Sequence, residues 1–209
     1  MAAHRPFLLL LACALVAACA SGREPAPPAP APPFNELGRV DAPVTILEFS
    51  DLQCRFCARH ATQTFPQLRR DYIDTGKVRY VLHDLPLPYH PKAFPAAVAA
   101  RCAGEQGRYW EFREALFAQQ HRLGEELYAE ISGGLGLEPE RFAACRQDEK
   151  QAAAIRADIN RAAGYGLGST PSFVIGHGMP GATSGERIVG AKPYDVFRSR
   201  IEALLAAPP

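Results

Sequence analysis

Cys54 and Cys57 are separated by two residues and stand where an apolar run gives way to a helical one. Few features narrow a fold as much. Val44 to Phe49 is apolar and rich in β-formers, and Ala58 to Tyr72 has helical periodicity, so the pair sits at a strand-to-helix junction. A cysteine there meets the unpaired N–H groups and positive end of the helix, which favour its thiolate. Cys54 is therefore read as the attacking thiolate and Cys57, one turn further in, as the resolving thiol. Zinc is the competing use of this spacing. A structural site needs about four N/S ligands, and there is no second pair: Cys102 and Cys145 are isolated, and His60, His83 and His90 are scattered. The sequence points to redox chemistry with no metal and no cofactor beyond the Cys54–Cys57 disulfide.

The amino terminus addresses the compartment. Arg5 precedes a short apolar run, Phe7 to Ala18, too short to span a bilayer and shaped as a signal peptide over residues 1–18. Val16-Ala17-Ala18-Cys19 resembles the bacterial lipobox, which implies lipidation at Cys19, and Ala20 fits the outer-membrane sorting pattern; ordinary cleavage to a free product is the alternative. Glu24 to Pro33 holds six prolines among alanines and cannot pack a core. Residues 19–38 are accordingly read as a lipid-anchored tether, extended at about 3 Å per residue. With 23 basic and 22 acidic residues, the chain offers no basic face for nucleic acid, and membrane contact is expected through the lipid alone.

The body reads as strand, helix, strand (Lys77 to Leu85), a block of helices from Pro91 to about Tyr165, two short strands (Ser172 to Gly176 and Glu186 to Val189) and a closing helix. The strand-helix-strand start implies a parallel pair with a right-handed crossover. Residues 39–90 and 166–209 form the two parts of one domain, and 91–165 an insertion. Trp110, Tyr109 and Phe112 are assigned to the core of that block. Glu48 interrupts an apolar strand and shares a face with Ile46 and Ser50; burial would raise its pKa and suit it to relay the Cys57 proton.

Four segments carry a resemblance to the DsbA-like branch of the thioredoxin superfamily: Glu48-Phe49-Ser50 leading into Cys54-Arg55-Phe56-Cys57, His83-Asp84-Leu85-Pro86, Ala100-Arg101-Cys102-Ala103 with Gln106-Gly107-Arg108-Tyr109-Trp110-Glu111, and Gly168-Ser169-Thr170-Pro171-Ser172-Phe173. The resemblance implies an α/β thioredoxin fold with an inserted all-helical subdomain and a cis bond before Pro171. Thr170 and Pro171 would then hold an extended substrate strand beside Cys54. Arg55 and Phe56, the residues between the cysteines, would tune the thiolate, with Arg55 supplying a favourable charge. An exported chain disfavours free thiols, so Cys102 and Cys145 are expected to pair and staple the insertion, as some members of this branch do.

The function so implied is a periplasm-facing, monomeric protein dithiol oxidase in a bacterial cell envelope. Its partners would be unfolded or partly folded exported polypeptides and a membrane redox protein that resets the CxxC. An isomerase or reductase of the same fold is the nearest alternative. A tethered holdase or copper-binding module is the alternative from another class.

Overall fold

The computed structural model describes Met1 and residues 33–178 and 185–207. The signal peptide, Cys19, most of the tether and the glycine-rich turn at 179–184 lie outside the described residues.

Five strands make one mixed sheet: β1 (Glu36–Leu37), β2 (Val44–Ser50), β3 (Val78–Asp84), β4 (Ser172–Gly176) and β5 (Glu186–Val189). Their spatial order is β1-β3-β2-β4-β5. β2 and β3 run parallel, with Val44 opposite Val78 and Ser50 opposite Asp84; the other pairings are antiparallel. β2 and β3 are buried along their whole length, as expected of central strands covered on both faces. The edge strand β1 departs from the sequence reading, which placed residues up to 38 in the tether. Glu36 pairs with Arg79 in a nearly buried ion pair, and Asn35 Nδ2 donates to the Leu82 carbonyl at 2.7 Å. Two residues are too few to show alternation, so nothing in the local pattern marked this strand.

The junction between β1 and β2 contains Gly38, at φ +84° and with its α-carbon against the Val78 carbonyl. A side chain has no room there, and the backbone lies in the region that favours glycine.

Helix α1 follows the CxxC and runs through four consecutive segments, Arg55–Arg59, His60–Thr64, Phe65–Leu68 and Arg69–Ile73, the second and fourth wound as π-helix. Pro66 explains the first widening. It donates no hydrogen bond, and its ring crowds the carbonyl four residues back, which is relieved by loosening the turn before it. The insertion comprises α2 (Ala93–Gly104), α3 (Tyr109–Ala118), α4 (Glu125–Gly134), α5 (Pro139–Gln147) and α6 (Glu149–Gly164), and α7 (Tyr194–Ala206) closes the chain. Asp148 caps α6 by accepting from the Lys150 N–H at 2.9 Å.

Alanines 96, 97, 99, 100 and 103 of α2 are fully or almost fully buried, so small side chains let the other helices close on it. Cys102 and Cys145 form a disulfide joining α2 to α5, with α-carbons 5.7 Å apart. Phe34, just ahead of β1, packs on Gly104 at the last turn of α2 and against Tyr109, ring centroids 5.2 Å apart. Tyr109 and Phe112 are core as expected. Trp110 differs: it is half-buried and stacks on Phe65 of α1 at 5.6 Å, sealing the seam between insertion and domain. Three apolar clusters result, one in the insertion, one under α1 and α7, and one between the opposite sheet face and α6.

Candidate functional site

Cys54 and Cys57 are both free thiols. Cys54 is the N-cap of α1, in extended conformation, and its carbonyl accepts from the N–H groups of Cys57 and Ala58 at 3.0 and 3.1 Å. Asp51 positions this start. Its Oδ1 accepts from the N–H groups of Gln53 and Cys54 at 2.7 and 3.1 Å. Its Oδ2 accepts from the Leu87 N–H and bonds His90 Nδ1, both at 2.8 Å. A buried carboxylate so fully paired locks the loop before the helix. Asp51 was not singled out by the sequence reading; an aspartate whose side chain accepts from the N–H two residues on is a turn-forming signal that could have marked it.

Cys54 is 5 % exposed and Cys57 not at all. A client must therefore dock closely before sulfurs can meet. The Cys57 thiol, donating to the Cys54 sulfur, does most to bring the Cys54 pKa down to about 5, against the opposing effect of burial. Thr170 and the backbone N–H groups of Cys57 and Phe56 act in the same direction. Burial, then the neighbouring Cys54 sulfur, pushes the Cys57 thiol well above its usual value. The backbone N–H of Asp51 points at Cys57 Sγ, 3.4 Å away.

Thr170–Pro171 is a cis peptide, and the Cys54 thiol reaches the Thr170 carbonyl at 3.4 Å. The β4 ladder begins only at Ser172, so the Thr170 backbone lies outside the sheet's own pairing. Thr170 and the Cys54 thiol, 116 positions apart, are thus brought together.

Glu48 is buried on the α1 side of the sheet, as its alternation requires, but the expected rise in its pKa is not found. Burial alone would push the carboxyl up; the Arg113 guanidinium, with His60 and the Tyr80 hydroxyl, holds it below its usual value instead. Arg113, from α3, donates to both carboxylate oxygens at 2.9 and 3.1 Å, and Tyr80 donates to Oε2 at 2.7 Å. His60 Nε2 lies 3.1 Å from the Tyr80 oxygen. Because the single Tyr80 proton goes to Glu48, Nε2 must carry the His60 proton, leaving the buried Nδ1 without a partner among the described residues. Desolvation lowers the His60 pKa to about 4, so the ring is neutral. Arg113, Tyr80 and His60 are long-range partners that no local spacing marks.

Arg55 also departs from its expected role. It is exposed, its guanidinium lies over the Phe56 ring at 4.8 Å, and it is not among the main influences on the Cys54 pKa. The helix start and the second thiol do what was assigned to it. The scattered histidines are each engaged structurally: His83 bonds Asp158 at 2.7 Å, and His90 bonds Asp51. Among the described residues no cluster could hold a metal ion, and no helix is long and apolar enough to cross a membrane.

The chain that carries this arrangement is similar to known proteins. A family model described as thioredoxin matches residues 33–190. The crystal structure of α-DsbA1 from Wolbachia pipientis superposes with a TM-score of 0.70 at 27 % identity, covering 81 % of this chain and 89 % of that one. A Rickettsia prowazekii protein named as a protein-disulfide oxidoreductase is 29 % identical over 66 % of this chain and 53 % of its own length. The Na(+)/H(+) antiporter NhaA 3 of Salinispora tropica is 35 % identical over 81 % of this chain but only 23 % of the antiporter. The chain thus spans about a quarter to a half of these two relatives.

Proposed function

Since this chain belongs to the thioredoxin family and carries the helical insertion of its DsbA-like members, we propose that it is an exported thiol–disulfide oxidoreductase that forms disulfides in polypeptides. The observation that carries this reading is the Cys54 sulfur, 3.4 Å from the Thr170 carbonyl at the cis-proline, with Cys57 buried behind it. The sulfur and a docking backbone belong to one site.

In the oxidised state a client thiolate attacks Cys54 Sγ. The Cys54–Cys57 bond breaks, and Cys57 leaves with the electron pair and is protonated, as its raised pKa favours. A second client thiolate then attacks the client sulfur of the mixed disulfide and expels Cys54 as thiolate. Two electrons have moved from the client dithiol to the pair. A leaving thiolate with a pKa near 5 stabilises the reduced enzyme and makes the disulfide oxidising. Glu48, held ionised by Arg113, raises the Cys57 pKa further by its charge and so favours protonation of the departing thiol. Turnover requires a membrane redox partner that withdraws the electrons. The lipobox-like sequence at Cys19 supports a periplasm-facing lipid anchor, and residues 33–207 are read as acting as a monomer.

Cys54→Ser is expected to abolish exchange and Cys57→Ser to accumulate client mixed disulfides on Cys54, resolved on non-reducing gels. Equal loss without a trapped species overturns the assignment. Equilibration with glutathione is expected to give a potential above about −200 mV, and a value near that of thioredoxin, about −270 mV, removes the oxidase direction in favour of a reductase.

A further inference from the structure

The chain is almost charge-balanced overall, yet the mouth of the CxxC is not. Phe56 is 41 % exposed, beside the reactive sulfur, with the Arg55 and Arg59 guanidinium groups over its ring at 4.8 and 5.2 Å. Arg59 also donates to the Ala191 carbonyl at 3.2 Å, which fixes it against the loop that carries Lys192. That loop is held to the cis-proline, since the Gly190 N–H donates to the Pro171 carbonyl at 2.8 Å. On the other side of Cys54, the Lys92 N–H donates to Gln53 Oε1 at 2.7 Å, bringing a fourth exposed basic residue near the CxxC.

Arg55, Arg59, Lys92 and Lys192 are all exposed. Among the described residues none is within ion-pair distance of a carboxylate, whereas Arg101, Arg113, Arg122 and Arg146 elsewhere are paired. The carboxylate nearest the mouth, Asp51, is buried and fully occupied by the loop. Two unpaired guanidinium groups thus flank the Phe56 ring, and Lys92 and Lys192 stand exposed on the two segments that border the CxxC and the cis-proline.

Resting on the oxidoreductase reading above, we infer that this mouth selects client segments carrying carboxylates beside the reacting cysteine, with Arg55, Arg59, Lys92 and Lys192 as the specificity-determining residues and Phe56 as the apolar floor. The mouth's charges complement an acidic segment and repel a basic one, and such rim charges act chiefly on association rate and in a salt-dependent way. Backbone pairing at Thr170 admits many sequences; the cations grade them.

The test uses the oxidised full chain and three synthetic dithiol peptides that differ only in the residues flanking the cysteines, which are Glu, Gln or Lys. Exchange rates are divided by those of the same peptides with a small uncharged disulfide, which removes differences in peptide thiol pKa. The corrected rate is expected to be roughly tenfold higher for the Glu peptide than for the Lys peptide at low salt, with Gln between, and to converge toward equality in 0.5 M NaCl. In the Arg59→Gln/Lys192→Gln double variant the Glu-to-Lys ratio is expected to fall several-fold; because it is a ratio, any change in Cys54 reactivity cancels. Equal corrected rates, a salt-independent preference or an unchanged ratio in the variant each overturn the selectivity while leaving the oxidoreductase reading intact. Exchange with none of the peptides removes that reading and the selectivity with it.

Discussion

At the residue scale, two sulfurs three positions apart hold opposite acidities because they occupy opposite ends of one short gradient. Cys54 caps the helix where N–H groups converge, and Cys57 is one turn inside, fully buried. For the reduced protein, the rate of alkylation by iodoacetamide is expected to rise with a midpoint near pH 5 and to reflect Cys54 alone; a midpoint above 7 contradicts the site as drawn. The same shift makes stability depend on pH. A thiol depressed from 9.0 to about 5 contributes stability to the reduced fold that is fully present above pH 9 and is lost as pH falls through 5. The cysteines were legible because motif and local context announce them, and the cis bond at Pro171 only through the resemblance that implied it. Glu48 was legible as buried but not as ionised, since its partner Arg113 is 65 positions away and leaves no trace near it in the sequence.

At the element scale, secondary structure followed periodicity closely where runs were long: β2, β3 and α7 all appear where the pattern put them. The two-residue β1 and the π-wound turns of α1 were not legible, the first for want of length and the second because only packing around Pro66 decides how the strain is absorbed. The disulfide between α2 and α5 closes a loop with a sequence separation of 43. By chain entropy such a closure stabilises by about 4 kcal/mol. Replacing both Cys102 and Cys145 by Ser is therefore expected to lower unfolding stability by about 3–4 kcal/mol in urea titration while sparing Cys54 alkylation, because the bridge lies within the insertion and not at the mouth.

Across the whole molecule, two buried polar clasps join the insertion to the sheet. One is Arg113 with Glu48 and Tyr80. The other gathers His83, Asp84 and Asp158 with Arg101, which donates to Asp84 at 3.0 Å; burial raises the Asp84 pKa to about 6. Removing one member of such a pair strands a charge, so Arg113→Met is expected to cost about 3–5 kcal/mol at neutral pH. The Glu48→Gln/Arg113→Met pair should recover part of it. The sign follows from Glu48: its depressed pKa gives stability present at neutral pH and lost as pH falls through the folded value, so parent and variant converge in acid. A loss that does not shrink in acid would show that the guanidinium matters by packing.

α2 begins at the CxxC, where Lys92 meets Gln53, and ends at Gly104 beneath Phe34. Its 12 residues measure about 18 Å. Phe34 is therefore seated at the end of α2 remote from the reacting sulfur. A pull on the backbone at Phe34 is borne by its phenyl ring, wedged on Gly104 and Tyr109, and not by the loop that presents Cys54.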